Sequence, residues 1–167
     1  MPKPNLEMPA SLARRPQYRG MPIPYMSPIG ADGAPKFSVD DERLKFEVIT
    51  ERLCGLCGES LGQWVAFIGE IANQENRVFQ QPGMHLDCLQ YAAQVCPYIA
   101  NPGYSVRGMS TTNLSGPTVV LNPERNNDPR PERMLIYITS EYEMVSNGQG
   151  IAVRVAPYKR VIWIDRV

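Results

Sequence analysis

Four cysteines and one histidine are all that this chain holds of either type. Three of the cysteines and the histidine fall into two short pairs, Cys54-Gly-Leu-Cys57 and His85-Leu-Asp-Cys88. Thiolate and imidazole are soft or borderline donors, and four of them in a tetrahedron make the preferred shell of Zn²⁺. A pair at this spacing supplies one edge of the tetrahedron, and two pairs close it. Gly55 lets the first pair curl so that both sulfurs point at one centre, and Gly58 lets the chain leave after a tight turn. His85 and Cys88 stand three apart at the start of a predicted helix and so share a face. The positive end of that helix favours a thiolate at Cys88. Three thiolates and a neutral imidazole around a divalent ion leave a charge of about −1, and four protein ligands leave no open position for water or substrate. The expectation is one structural Zn²⁺ per chain, held by Cys54, Cys57, His85 and Cys88.

Three other readings use the same residues. Disulfides are one, but a cytosolic chain disfavours them. A thiol redox protein using Cys54 and Cys57 is the second. Its motif belongs where a strand runs into a helix, whereas the order here is helix, knuckle, hairpin. The third is a set of unrelated core side chains. Cys96 lies roughly two turns beyond Cys88, about 12 Å along a regular helix. That is too far for the same ion, and it reads as a small buried hydrophobe.

The elements that must position these donors are legible in outline. A helix is predicted from Asp40, where Asp40 or Asp41 can cap the free N–H groups. Leu44, Val48, Ile49 and Leu53 give it an apolar side, broadened by Phe46, and Gly55 suits its stop. Residues 64–71 and 77–80 read as two strands of a hairpin, with Asn73-Gln-Glu-Asn76 as turn and Pro82-Gly83 as a break. Residues 85–95 read as a helix that offers Leu86, Leu89, Tyr91 and Ala93 for packing and is stopped by Pro97. Residues 101–132 are rich in Gly, Pro, Asn and Ser, with one apolar run at Thr118–Leu121. They read as a long mobile loop. Residues 133–167 read as an antiparallel meander of about three strands, in which Ile151, Val153 and Val155 alternate with Ala152, Arg154 and Ala156.

Eight of the 16 prolines lie in the first 35 residues. Proline fixes φ and removes a donor, so residues 1–36 read as an extended Pro-rich arm ahead of a single zinc-stabilised domain over 37–167. Met21, Ile23, Tyr25, Met26 and Ile29 suit an arm laid on an apolar surface, its own domain's before a partner's. Arg14, Arg15, Tyr18, Arg19 and Tyr25 are the candidate partner-binding residues, since arginines beside aromatics can touch phosphate or stack on a base. Solubilising charge is the plainer reading of those arginines.

The chain of 167 residues carries 17 basic and 17 acidic side chains. That balance argues against holding nucleic acid by bulk electrostatics. No run of apolar residues is long enough to span a membrane. The first twenty residues lack a signal peptide's apolar core, so a cytoplasmic location is expected. With His85 given to metal, no histidine remains as a general base. The acidic groups Asp40, Asp41 and Glu42, and Glu141 with Glu143, read as a cap and a polar strand face rather than acid–base pairs. No phosphate-cradling glycine motif is present.

A knuckle, a hairpin and a helix whose first turn carries the second pair follow the layout of a treble-clef zinc finger, to which residues 54–96 are similar. Nuclease sites on that scaffold need further histidines, which this chain lacks. Five longer-range features stand in order along the chain: the arginine-proline start Arg14-Arg15-Pro16, Gly20-Met-Pro-Ile-Pro-Tyr25, Asp32-Gly-Ala-Pro-Lys-Phe37, the two metal-type pairs, and Cys96-Pro97. Over about 14–102 they resemble a largely actinobacterial family of bacterial and phage proteins. The resemblance implies a zinc-holding domain and no activity. The reading is therefore an α+β protein with a treble-clef-like zinc site, an extended Pro-rich N-terminal arm and a C-terminal antiparallel sheet. Its expected role is a non-enzymatic, zinc-stabilised protein-binding module, phage-encoded or bacterial, acting on a host or phage protein. The alternatives are a nucleic-acid-binding zinc finger using the arm arginines and the thiol redox protein above.

Overall fold

The computed structural model describes residues 7–36, 39–96, 119–121, 133–146, 148 and 150–165. In chain order the elements are α1 (Ala10–Ala13), β1 (Gln17–Tyr18), β2 (Met21–Pro22), β3 (Val39–Asp41), α2 (Glu42–Thr50), β4 (Val65–Gly69), α3 (Ile71–Asn76) and β5 (Val78–Phe79). They continue with α4 (Leu86–Val95), β6 (Val119–Leu121), β7 (Arg133–Thr139), β8 (Tyr142–Ser146), β9 (Ile151–Val155) and β10 (Arg160–Asp165). The fold is α+β with antiparallel sheets. Among the described residues, two have three strands, ordered β10-β7-β4 and β5-β9-β8, and two are strand pairs, β1-β2 and β3-β6. No described helix is long and apolar enough to cross a membrane.

The sheet β10-β7-β4 divides the interior. Successive strand residues point to opposite faces, and here both faces are apolar. Ala66, Ile68, Ile136, Ile138, Ile162 and Ile164 face a core that contains Cys54, Cys57, Cys88, Leu12, Met84 and Leu89. Val65, Phe67, Leu135, Tyr137 and Val161 face a second core with Val48, Ile49, Phe79 and Val153. α4 thus covers one face, while α2 and the sheet β5-β9-β8 cover the other. Burial on both faces explains why β7 reads as a continuous apolar run rather than an alternating one. In the second core Phe67, Phe79, Tyr137 and Tyr142 pack ring against ring at centroid distances of 5.3–5.5 Å, the spacing that tilted and edge-on aromatic pairs favour.

The expected hairpin of 64–71 and 77–80 is not there. β4 pairs with β7, and β5 pairs with β9 in the other sheet. The reason is local. Asn73 Oδ1 accepts from the Glu70 N–H at 2.8 Å, and its Nδ2 donates to the Val78 carbonyl at 2.9 Å. The expected turn therefore winds into α3. Arg77 then takes the left-handed conformation (φ 58) and sends β5 away. In the hairpin's place, β4 meets the chain just ahead of His85, where Ala66 and Met84 exchange N–H···O bonds of 2.8 and 2.9 Å.

Three other expectations change. Asp41 caps α2, accepting from Arg43 and Leu44 N–H at 3.0 and 3.3 Å, but α2 stops at Thr50 rather than at Gly55. Arg52 (φ 52) makes the reversal. The C-terminal run has four strands, because the stretch expected as one strand breaks after Thr139 into β7 and β8, which lie in different sheets. The apolar run of the 101–132 loop supplies β6, antiparallel to β3; the rest of that loop lies outside the described residues.

The N-terminal arm, from residue 7 on, is folded against the domain rather than simply extended. Pro9 precedes the single turn α1, which buries Leu12. β1 and β2 form a tight hairpin turned at Arg19 (φ 51) and Gly20 (φ 77), the positive-φ pair that a two-residue hairpin turn of this hand requires.

Gly83 leads into the second donor pair. A Cβ there would lie 2.3 Å from Val65 Cγ1 and 3.2 Å from Phe67 Cζ. Both side chains are fully buried and cannot retreat. Gly83→Ala is expected to cost about 1–3 kcal/mol by overpacking, read as a lowered urea midpoint at unchanged slope.

Candidate metal centre

The first donor pair sits on a turn held by its own backbone. Cys54 N–H donates to the Glu59 carbonyl and Gly58 N–H to the Cys54 carbonyl, both at 2.8 Å, with Leu61 N–H on the Arg52 carbonyl at 2.9 Å. Gly58 carries φ +77, which a residue with a Cβ adopts only at a cost. The second pair is brought over by Gly55 N–H on the Gly83 carbonyl at 3.0 Å. His85 stands at the N-cap of α4, and Cys88 lies in its first turn.

The structure brings all four donors together. One ligand atom from each of Cys54, Cys57, His85 and Cys88 lies within 4.8 Å of every other. Cys57 Sγ and Cys88 Sγ stand 3.3 and 3.8 Å from His85 Nδ1. A tetrahedral shell with Zn–S near 2.3 Å and Zn–N near 2.0 Å needs sulfur–nitrogen edges of about 3.5 Å, so the residues fit such an ion. Cys54 and Cys88 are fully buried and Cys57 is 5% exposed.

The histidine's protonation follows from its other nitrogen. Nε2 lies 2.9 Å from the Ser60 carbonyl oxygen. A carbonyl only accepts, so Nε2 carries the proton and Nδ1 presents its lone pair to the sulfurs. Such outer hydrogen bonds fix ring orientation and raise ligand basicity. Cys54 Sγ accepts from the His85 N–H at 3.3 Å, and Ser11 Oγ stands 3.4 Å from Cys88 Sγ.

Hydrogen bonding between the thiols and their burial dominate the electrostatics. A hydrogen bond from the Cys88 thiol, helped by backbone N–H groups of Cys57, His85 and Leu56, draws the Cys54 thiol down to about 5 against the opposing effect of burial. The Cys88 thiol, as donor to Cys54, is held above its ordinary value, with burial and the neighbouring thiolates adding to the effect. Burial, joined by the Cys54 charge, also raises Cys57. Without a cation, one thiol ionises and holds the others protonated. A divalent ion would reverse that, since thiols that bind one do so deprotonated.

The other candidate residues have partners within the chain. Arg14 forms a forked ion pair with Glu59, at 2.6 and 2.9 Å from its two oxygens. Arg15 donates to the Ile23 carbonyl at 3.0 Å and lies over the Tyr25 ring. Tyr25 donates its hydroxyl to Glu47 at 2.6 Å, and that bond raises its pKa. Tyr18 and Arg19 stack on one another at the hairpin tip. The sequence reading missed Ser11, whose residue type gives no sign of a metal neighbour, and the Ser60 carbonyl, which is backbone. Cys96 ends α4 and lies outside the donor group; none of the four cysteines forms a disulfide.

Compared with family models, curated proteins and solved structures, the chain matches none.

In the metal-loaded protein, His85 is expected to ligate through Nδ1 with the proton on Nε2. Two-bond ¹H–¹⁵N spectra of the ring check this, and an Nδ1–H tautomer would contradict it.

Proposed function

We propose that this chain is a non-enzymatic, zinc-stabilised protein-binding module with one structural Zn²⁺ on Cys54, Cys57, His85 and Cys88. The observation that carries the reading is the closed donor set: four protein ligands, three of them buried sulfurs, within tetrahedral reach. Four ligands fill the shell, which suits a structural ion rather than a catalytic one. Three thiolates and an imidazole are the donor chemistry of zinc more than of magnesium or calcium. The centre is treble-clef-like, with the β4–Met84 bridge taking the hairpin's part ahead of the ligand helix. Reduced thiols at its heart suit the cytoplasm, that of a host if the chain is phage-encoded.

Protein binding rests on a narrower base. Trp64, Phe46, Ile71 and Tyr158 are about half exposed, and aromatic side chains are enriched where proteins meet. Arg14 and Arg15 are engaged internally, which weakens the case for reading nucleic acid with the arm.

Elemental analysis of purified protein is expected to return one zinc per chain; a folded sample with substoichiometric metal ends the reading. Ligands must be deprotonated to bind, so the metal's contribution to stability is present near neutral pH and is lost as pH falls. Removal by chelator or acid should lower the melting temperature by many degrees. Cys57→Ser should weaken zinc more than about 100-fold, beyond the 10–100-fold typical of an outer-shell loss. Affinity capture from host lysate tests the partner: a stoichiometric protein that is retained by the zinc-loaded chain and lost with Cys57→Ser is expected.

A further inference from the structure

We infer that the N-terminal segment, residues 7–36, docks on the metal knuckle itself, so that metal binding and segment docking are two halves of one equilibrium. The inference rests on the metal reading above and extends it to a regulatory device: a strap held closed by the ion beneath it.

The attachments of the segment converge on a few residues. Ser11 Oγ meets the sulfur of Cys88 at 3.4 Å. Leu12 is buried in the same cluster as Cys54, Cys57 and Cys88. Tyr25 and Met26 donate their backbone N–H groups to the carbonyls of Leu56 and Gly55, at 2.9 and 3.0 Å, between the two ligands of the first pair. Arg14 is paired with Glu59 just past that turn.

The knuckle is shaped for this cover. A Cβ at Gly55 would lie 2.9 Å from Met26 Sδ, and one at Gly58 would lie 2.4 Å from the Tyr25 ring. Both glycines of the turn therefore leave room for segment side chains, in addition to Gly58's left-handed conformation.

The consequence follows from linkage. The carbonyls of Gly55 and Leu56 point at the segment only while the turn between Cys54 and Cys57 keeps its shape, and an ion gripping both sulfurs holds that shape. Loss of the ion loosens the turn and the sulfur that Ser11 touches, so the segment's docking weakens. By reciprocity the docked segment tightens metal binding by the same factor. It also covers the sulfurs against chelators. A released segment would expose Leu12 and Ile23, both buried when it is docked.

The test uses the full chain loaded with Zn²⁺, its stoichiometry measured first. Amide hydrogen exchange is compared with and without metal. Tyr25 and Met26 N–H should exchange at least about tenfold faster once a chelator removes the ion, within the range common for coupled sites. Amides of β7 and β9, around the second core, should keep their protection. Unchanged exchange at Tyr25 and Met26 overturns the inference. So does loss of protection throughout the chain at once, since the segment would then have no docking equilibrium of its own. A sample that never holds zinc fails at the stoichiometry step and takes the metal reading down with it, which separates the two failures. In the reverse direction, Leu12→Ala with Arg14→Ala in the full chain should speed zinc transfer to a chromogenic chelator about tenfold at unchanged stoichiometry. An unchanged rate counts against the coupling as decisively.

Discussion

Three thiols and an imbalance of charge govern this structure. Cys54, Cys57 and Cys88 crowd one buried spot, and they cannot all ionise there unaided. Every local feature around them serves to present sulfur and nitrogen to a single point. Backbone N–H groups of Leu56, Cys57 and His85 turn toward Cys54, the Ser60 carbonyl sets the imidazole tautomer, and Gly83 hands the second pair across to the first. A cation bound there would complete an arrangement whose thiols otherwise repel one another or stay protonated.

That point lies on one face of a sheet whose other face belongs to a different core. β7 and β4 contribute alternate residues to each: Ile136 and Ala66 to the core containing the cysteines, Tyr137 and Phe67 to the aromatic one. The two cores share a wall but few side chains. The aromatic core is closed by α2 and by β9, neither of which carries a donor, and its ring-against-ring packing involves no donor. Disturbance of the donor set therefore reaches the aromatic core through the sheet and through Leu61, which packs against both cores.

Much of the donor geometry was legible because it depends on residue type and short spacing. Cysteine and histidine announce their chemistry, and the Asp41 cap and the helix after His85 follow from local rules. What was not legible depended on partners far along the chain or on backbone atoms. The stretch Asn73–Asn76 has the composition of a turn, yet one amide side chain, Asn73, binding Glu70 and Val78, winds it into a helix and parts two strands that look like a hairpin. Gly55 looks like a helix stop, but Arg52 makes the reversal and Gly55 instead makes room for Met26. The proline-rich start read as extended because prolines forbid long elements; they do not forbid one turn after Pro9 or a two-residue hairpin. The Ser60 carbonyl carries no mark in residue type.

The parting of β4 from β5 has a kinetic side. β4 must wait for β7, made much later, before it gains a neighbour along its length, and long-range strand pairing is slow because loop-closure entropy comes first. The two donor pairs lie nearer together, with Cys57 and His85 28 positions apart. During synthesis the second pair is made before any of β7. An ion bound at that stage would tie the emerging polypeptide into a small ring and draw β4 and Met84 together. The nascent chain would then offer its later strands a preformed edge instead of a wandering one.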